Sequence, residues 1–266
     1  MHVLPSKGGG GVCAVATVGN EVFILRNDSQ QVEVYDALPS SAFTSQRQIT
    51  VRGLGDFRSG LAACAKNDCL YLSDWDNSSI HRVQLSVRSS DAMKKWSVSG
   101  RSWGLSVNSS QNVVVACCGA NSLQEYTTHG TLVREISLLQ AGIGPAQHAV
   151  ELSGGDYVAV SYKGVISVVG VNGQVQCRYA QSPGNSGSRR LIVTKNDKIL
   201  VTDEPNNRIL SLNSSLSSVQ ELALSVSVDG GIQGPVGLCL DESRGRLYVG
   251  ESDGDNRVLV FDGVNL

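Results

Sequence analysis

Several features are scarce in this chain of 266 residues. No apolar run approaches the roughly 20 residues that a membrane-spanning helix needs, so a helical membrane protein is excluded. The longest runs, such as LIV (191–193) and VVVACC (113–118), have the length of strands. Neither sign of charge dominates: 22 basic and 24 acidic residues leave a formal net charge of −2. That supplies no global field to draw the chain to DNA or to an anionic membrane, so any basic site must be a local patch. Histidine is sparse, at four residues, and none of the seven cysteines forms a C-x-x-C pair, which removes the usual zinc spacing. There is no G-x-S-x-G elbow. The N-terminal MHVLPSKGGGG has no apolar h-region, which predicts a chain without an export signal, hence cytoplasmic, with its cysteines as buried free thiols.

Abundant Gly and Ser, with few aromatic and charged residues, suit many short strands joined by turns better than helices. A unit recurs six times: a β-branched run ending in a polar residue, a turn, then a second strand. The copies are VFILRNDSQQVEVYD from Val22, LYLSDWDNSSIHRVQL from Leu70, VVVACCGANSLQEYT from Val113, YVAVSYKGVISVVG from Tyr157, ILVTDEPNNRILSLN from Ile199 and LYVGESDGDNRVLVFD from Leu247. The residues ending the first strand are Arg26, Asp74, Cys117, Ser161, Asp203 and Glu251, spaced 42 to 48 residues apart. A period near 40–45 residues marks a β-propeller blade of four strands. Each copy follows a short run of small residues, such as GLAACAKN (60–67) or GLCLDES (237–243), suited to an innermost strand a crowded about an axis; the marked pair is b and c. A ragged outer strand d follows in five copies, for example RQITVRG (47–53) and SSVQELALS (217–225). The sixth copy stops after strand c, and the lone MHVLP at the N-terminus supplies what it lacks. The expectation is therefore an all-β, six-bladed propeller of four-stranded antiparallel blades, its ring closed by the N-terminal strand pairing in the last blade. The blades fall near 9–53, 54–100, 101–143, 144–188 and 189–233, with 234–266 joined by 1–5, in a single domain expected to be monomeric.

The stretch GPVGLCLDESRGRLYVGESDGDNRVLVFD (234–262) resembles an NHL repeat: P-x-G-hydrophobic, then hydrophobic-Y-V, an acidic residue, a short loop and N-R-hydrophobic-x-hydrophobic-F. Residues 191–212 and 60–85 fit less completely, and the other three copies keep only the strand pattern. The resemblance implies an NHL-type propeller like the target-binding end of TRIM-type ubiquitin ligases, where such units bind proteins and, in some members, RNA. The chain itself has no RING or B-box spacing, so it would be a recognition end or a relative. In that pattern the acid–arginine pairs Asp74 with Arg82, Asp203 with Arg208 and Glu251 with Arg257 flank the b–c turns, and their repetition argues for scaffold.

Catalytic and metal chemistry finds little support. An axial zinc needs His or Cys from several blades at one level, and His2 and His129 fall near outer strands or turns, away from His81. Asp74, Asp76 and Asn77, with Asp253, Asp255 and Asn256 and with Asp203 and Asn206, cluster in b–c loops. They lack the remaining oxygens of a calcium loop and read as structural turns. The KGGGGV of residues 7–12 lacks P-loop spacing and reads as a flexible connection. Neither metal nor cofactor is expected, and no enzyme activity; a metal-dependent propeller hydrolase is the least favoured alternative.

A ligand is expected on the face made by the b–c and d–a loops. Its candidate contact residues are Arg52, Phe57, Arg58, Trp75, Arg101, Trp103, Tyr162, Lys163, Arg189 and Arg190, with His148 also placed in a d–a loop. Aromatic and arginine side chains anchor protein interfaces, so a protein partner is the first expectation. The same set could clamp single-stranded RNA, although an acidic rim from Asp76, Glu204, Asp253 and Asp255 opposes strong non-specific binding.

Overall fold

The β-branched runs of the repeat fold as strands, and the polar residues between them fold as tight turns. Every a–b turn contains one residue with left-handed backbone: Gly19, Asp68, Gln111, Gly155, Asp197 and Gly245, with φ between 50° and 87°. Gly reaches that region without strain, and Asp tolerates it in turns through bonds from its short side chain to the local backbone. The computed structural model describes residues 1–4, 10–27, 29–37, 43–55, 58–87, 92–139, 142–180, 186–226, 230–264 and 266, with backbone alone at 45, 46, 58 and 59.

The chain begins with β1 (His2–Leu4). Blade 1 follows with β2 (Val12–Val18), β3 (Glu21–Arg26), β4 (Gln31–Asp36) and β5 (Ser45–Thr50). Blade 2 holds β6 (Arg58–Cys64), β7 (Cys69–Asp74), β8 (Ser79–Gln84) and β9 (Met93–Ser97). Blade 3 holds β10 (Ser102–Val107), β11 (Val113–Cys117), β12 (Ser122–Tyr126) and β13 (Leu132–Ser137). Blade 4 holds β14 (Ala146–Glu151), β15 (Tyr157–Ser161), β16 (Val165–Val169) and β17 (Val175–Ala180). Blade 5 holds β18 (Leu191–Val193), β19 (Ile199–Asp203), β20 (Arg208–Leu212) and β21 (Val219–Glu221). Blade 6 holds β22 (Pro235–Asp241), β23 (Arg246–Glu251) and β24 (Val258–Asp262). Each blade is an antiparallel sheet in chain order, and β1 completes the sixth by pairing with β24, Val3 opposite Leu259. The fold is an all-β, six-bladed propeller.

Inner and outer strands differ in burial for a geometric reason. Strands b and c lie between neighbouring blades and are covered on both faces, so β3, β7, β11, β15, β19 and β23 are buried almost throughout. Outer strands are covered on one face, and β17 shows the resulting period-two alternation. The expected outer strand at 217–225 shrinks to the three residues of β21. Apolar side chains gather in six layers, each between two adjacent blades. One joins blades 1 and 2 through Phe23, Leu25, Leu70 and Leu72. Another joins blades 6 and 1 through Tyr248, Val260, Ile24 and Leu4 of β1.

A candidate docking face and an axial channel

The b–c and d–a loops of blades 2, 3 and 4 bring four of the expected contact residues together. Trp75 opens the turn after β7, Tyr162 opens the turn after β15, and Trp103 lies at a register shift in β10 between Ser102 and Leu105. Such an irregularity re-aims a side chain that a regular strand would place elsewhere. The Trp75 and Trp103 rings meet edge-on, centroids 4.9 Å apart at 75°. Trp103 and Tyr162 stack at 6.1 Å and 29°. The Arg101 guanidinium lies over the Trp75 ring, 5.3 Å from its centroid. Tyr162 is 46% exposed, the two tryptophans are half-buried, and Arg101, Lys163 and Arg52 are exposed. The backbone beneath is tied across blades: the Ser73 hydroxyl donates to the Trp103 carbonyl at 2.6 Å.

The remaining candidates lie elsewhere. Phe57 falls outside the described residues, and of Arg58 only the backbone, opposite Asp74, is described. Arg189 and Arg190 are corrections, since both are buried. Arg189 is wholly enclosed; its guanidinium meets Asp203 at 3.1 Å and the Gly187 carbonyl at 3.0 Å. Arg190 lies opposite Thr202, with reciprocal bonds from Thr202 N to its carbonyl and from its N–H to Thr202 Oγ1, and it lines the channel on the propeller axis. His148 is also not in a loop: it belongs to β14 and is buried beside that axis.

The acid–arginine pairs need one correction too. Arg208 Nε lies 2.9 Å from Asp203, and Arg257 Nε lies 2.7 Å from Glu251. Asp74, however, pairs with His81 Nε2 at 3.0 Å and with Lys95 at 3.5 Å, not with Arg82. The reason is the period of two in a strand: His81 opposes Leu72 and so shares a face with Asp74, whereas Arg82 opposes Tyr71 on the other face. Arg82 instead donates to Cys69 Sγ and Gln84. Burial pushes the His81 pKa down against the pull of Asp74, so at neutral pH this is a hydrogen bond from a neutral imidazole. Burial alone would raise the Asp74 carboxyl; donors from Asn77 and His81 outweigh it and hold the group below its usual value. Sequence reasoning missed a fourth pair with the charges exchanged: Arg26 ends strand b of blade 1 and donates to Glu33 on strand c at 2.9 Å, both buried. Its signal was the repeat itself, since Arg26 occupies the position of Asp74.

Along the axis runs a channel of about 850 Å³, walled by the innermost strands of all six blades and opening past the a–b loops. Three carboxylates stitch those loops together around the mouth: Glu151 accepts from Ser109 N at 2.6 Å, Asp197 from Ser153 N at 2.8 Å and Glu242 from Lys195 N at 2.7 Å. Deeper in, His148 clamps three blades: its Nε2–H donates to the Leu105 carbonyl at 2.8 Å, and its Nδ1 accepts from Leu191 N at 3.1 Å. Both ring nitrogens are thereby used by one neutral tautomer, and burial together with the Arg190 charge pushes the pKa down to about 3. Among the described residues, no three His, Cys, Asp or Glu side chains gather as a metal site. All seven cysteines are free thiols, and burial pushes Cys117 up to about 12.

Comparison with known proteins agrees with the architecture. No protein-family model and no curated protein sequence matches the chain. Among solved structures it is similar to hydrazine synthase of Kuenenia stuttgartiensis (TM-score 0.70, 14% identity, 96% of this chain and 97% of that one). It is also similar to a catalytically inactive virginiamycin B lyase from Staphylococcus aureus with quinupristin (0.67, 13%, 96% and 81%). A third is the β-propeller domain of Cps50 (Swd1) from Myceliophteria thermophila (0.67, 11%, 98% of both chains). At these identities the likeness concerns the fold alone, and function must be argued from this chain's own site.

Proposed function

We propose that this propeller is a non-enzymatic interaction module that recognises protein partners through the loop face of blades 2 to 4. The observation that carries the reading is the Arg101–Trp75–Trp103–Tyr162 array: three separate blades each contribute one aromatic ring to a continuous, accessible cluster. Trp, Tyr and Arg are the residues most enriched at interface hot spots. Rings already packed on one another lose little freedom on binding. The acids at the ends of strand b are engaged by the scaffold, Asp203 by Arg189 and Arg208, Glu251 by Arg257 and the Gln233 N–H. That use leaves them as props for the loops rather than as acids or bases for substrate. The NHL-like pairs at 203/208 and 251/257 support a finer reading, a substrate-recognition domain of TRIM-NHL type or a relative, acting as a monomer. Free thiols fit a reducing, cytoplasmic setting.

Single-stranded RNA is the second reading, because bases stack on exposed aromatic rings beside cations. It is weakened by the burial of Arg189 and Arg190, two of the cations an RNA backbone would use. Affinity capture with quantitative mass spectrometry, comparing the native chain with a Trp75→Ala/Tyr162→Ala double variant of unchanged melting temperature, tests the proposal. Protein partners retained by the native chain and lost from the variant are expected; an identical partner set would overturn it. In a parallel filter-binding assay, saturable RNA binding that disappears with Arg101→Ala would replace the protein reading by the RNA one.

A further inference from the structure

Strand registers place six residues, one per blade, at a single level of the axis. Ala14 opposes Leu25, His148 opposes Val160 and Gly237 opposes Gly250. Gly60, Gly104 and Arg190 take the same place opposite Ser73, Ala116 and Thr202, one residue before the paired Leu61, Leu105 and Leu191. Four of the six have no side chain or only a methyl group. The two long side chains at this level are those of His148 and Arg190. His148 leans across blade 3, where a Cβ on Gly104 would lie 2.4 Å from its Cδ2. Its ring nitrogens are both engaged, so it has no donor left for a ligand.

Arg190 is different. It is 92% buried, being 8% exposed, and its side chain lines the channel. Among the described residues its guanidinium makes one hydrogen bond, from Nη1 to the Arg189 carbonyl at 3.3 Å, and meets no carboxylate. Among the described residues, every other deeply buried arginine has an acid beside it: Arg26 has Glu33, Arg189 has Asp203, Arg246 has Asp262 and Arg257 has Glu251. A buried charge without a counter-ion is costly. Burial pulls the Arg190 pKa down to about 10, with the Cys13 thiol across the ring as the one group raising it. That still leaves the group charged at neutral pH. A second unused donor, the Ser106 hydroxyl, lies buried on the same channel wall.

We propose that Arg190 forms an oxyanion-binding site on the propeller axis, taking the carboxylate or phosphate head of a small molecule whose body lies along the channel. A planar guanidinium with free N–H groups matches either oxyanion in a two-pronged hydrogen bond. The channel walls below it are largely apolar, formed by Val15, Ala16, Ala62 and Leu238 among others, and suit a ligand with one charged end. This site lies on the axis, apart from the Trp75–Trp103–Tyr162 face, and does not depend on what that face binds.

The test is calorimetric titration of the full chain with inorganic phosphate and, separately, with acetate, at constant ionic strength set by sodium chloride. Saturable binding of at least one anion is expected, and the two titrations distinguish a phosphate from a carboxylate site. Arg190→Gln should abolish it, Arg190→Lys should weaken it about tenfold through loss of the fork, and the control Arg178→Gln, exposed on β17 and away from the channel, should leave it unchanged. Absence of saturable binding to the native chain up to ~10 mM of either anion overturns the proposal without recourse to any variant. Binding that persists in Arg190→Gln, or in Arg190→Lys at native strength, overturns it as well.

Discussion

Two adjacent arginines show how one residue's place in a strand decides its role. Arg189 and Arg190 look alike as a basic pair before a short strand, yet one anchors a buried acid and the other faces the axis. Replacing Arg189 by Ala would strip Asp203 of its enclosed partner, while Arg208 and Asn206 stay beside it. Breaking a buried pair from one side costs about 3 kcal/mol; chemical denaturation should register that loss, whereas Arg52→Ala on the surface should leave the midpoint where it was. His148 gives a pH dependence of definite sign. Its folded pKa, near 3, lies below the ordinary value of 6.5, so the unfolded chain binds the extra proton. The contribution is intact above pH 6.5 and is lost as pH falls, with a slope of up to about 1.4 kcal/mol per pH unit down toward the folded pKa. Urea unfolding at pH 7.5, 6 and 5 should show this slope, and His148→Gln should flatten it. Equal slopes for both proteins would remove His148 as the cause.

At the scale of elements, the three-residue β1 carries more than its length suggests. Without it, β24 would end blade 6 as an open edge, a row of unpaired N–H and C=O groups that invites another chain. Its Leu4 is fully enclosed in the layer between blades 6 and 1. Leu4→Ala should cost about 2–4 kcal/mol through lost burial and the cavity left behind. Deleting residues 1–4 should do more: the exposed β24 edge should convert part of the population to dimers or larger species on size-exclusion chromatography with light scattering. A truncated chain that remains monomeric with an unchanged melting temperature would mean that the closure is dispensable. Elements also explain the single misassigned pair. Sequence spacing puts Asp74 near both His81 and Arg82, and only the two-residue strand period, set by pairing with β7, decides which of them shares its face.

The whole molecule is a ring of six sheets in which each apolar layer belongs to two blades. No blade buries both its faces alone, because strands b and c need a neighbour on each side. Stability therefore comes from interfaces between repeats, as in other repeat architectures, but here the first and last repeats also touch. The a–b loops add to this closure: carboxylates of blades 4, 5 and 6 accept amides from the preceding blade, and Arg244 of blade 6 donates to the Gly19 carbonyl of blade 1 at 2.9 Å. Closing the ring also creates the two places where function is proposed. The docking array exists because blades 2, 3 and 4 stand side by side, and the channel exists because small residues line the axis.

The sequence by itself determined the architecture. A period of 42 to 48 residues, small residues in each first strand and an unpaired strand at each end of the chain suffice to specify six blades and their closure, because these follow from local periodicity. It also offered Trp75, Arg101, Trp103 and Tyr162 among ten candidate contact residues, without showing which of the ten stand together. The tertiary structure alone decided the rest. Whether Asp74 meets His81 or Arg82 depends on strand register; whether Arg189 and Arg190 are surface or interior depends on where β18 begins against β19. That His148 and Arg190 share one level of the axis depends on six registers at once. The last relation joins residues in different blades, and a chain pattern records the alternation of faces along a strand but not which residue of another strand stands opposite.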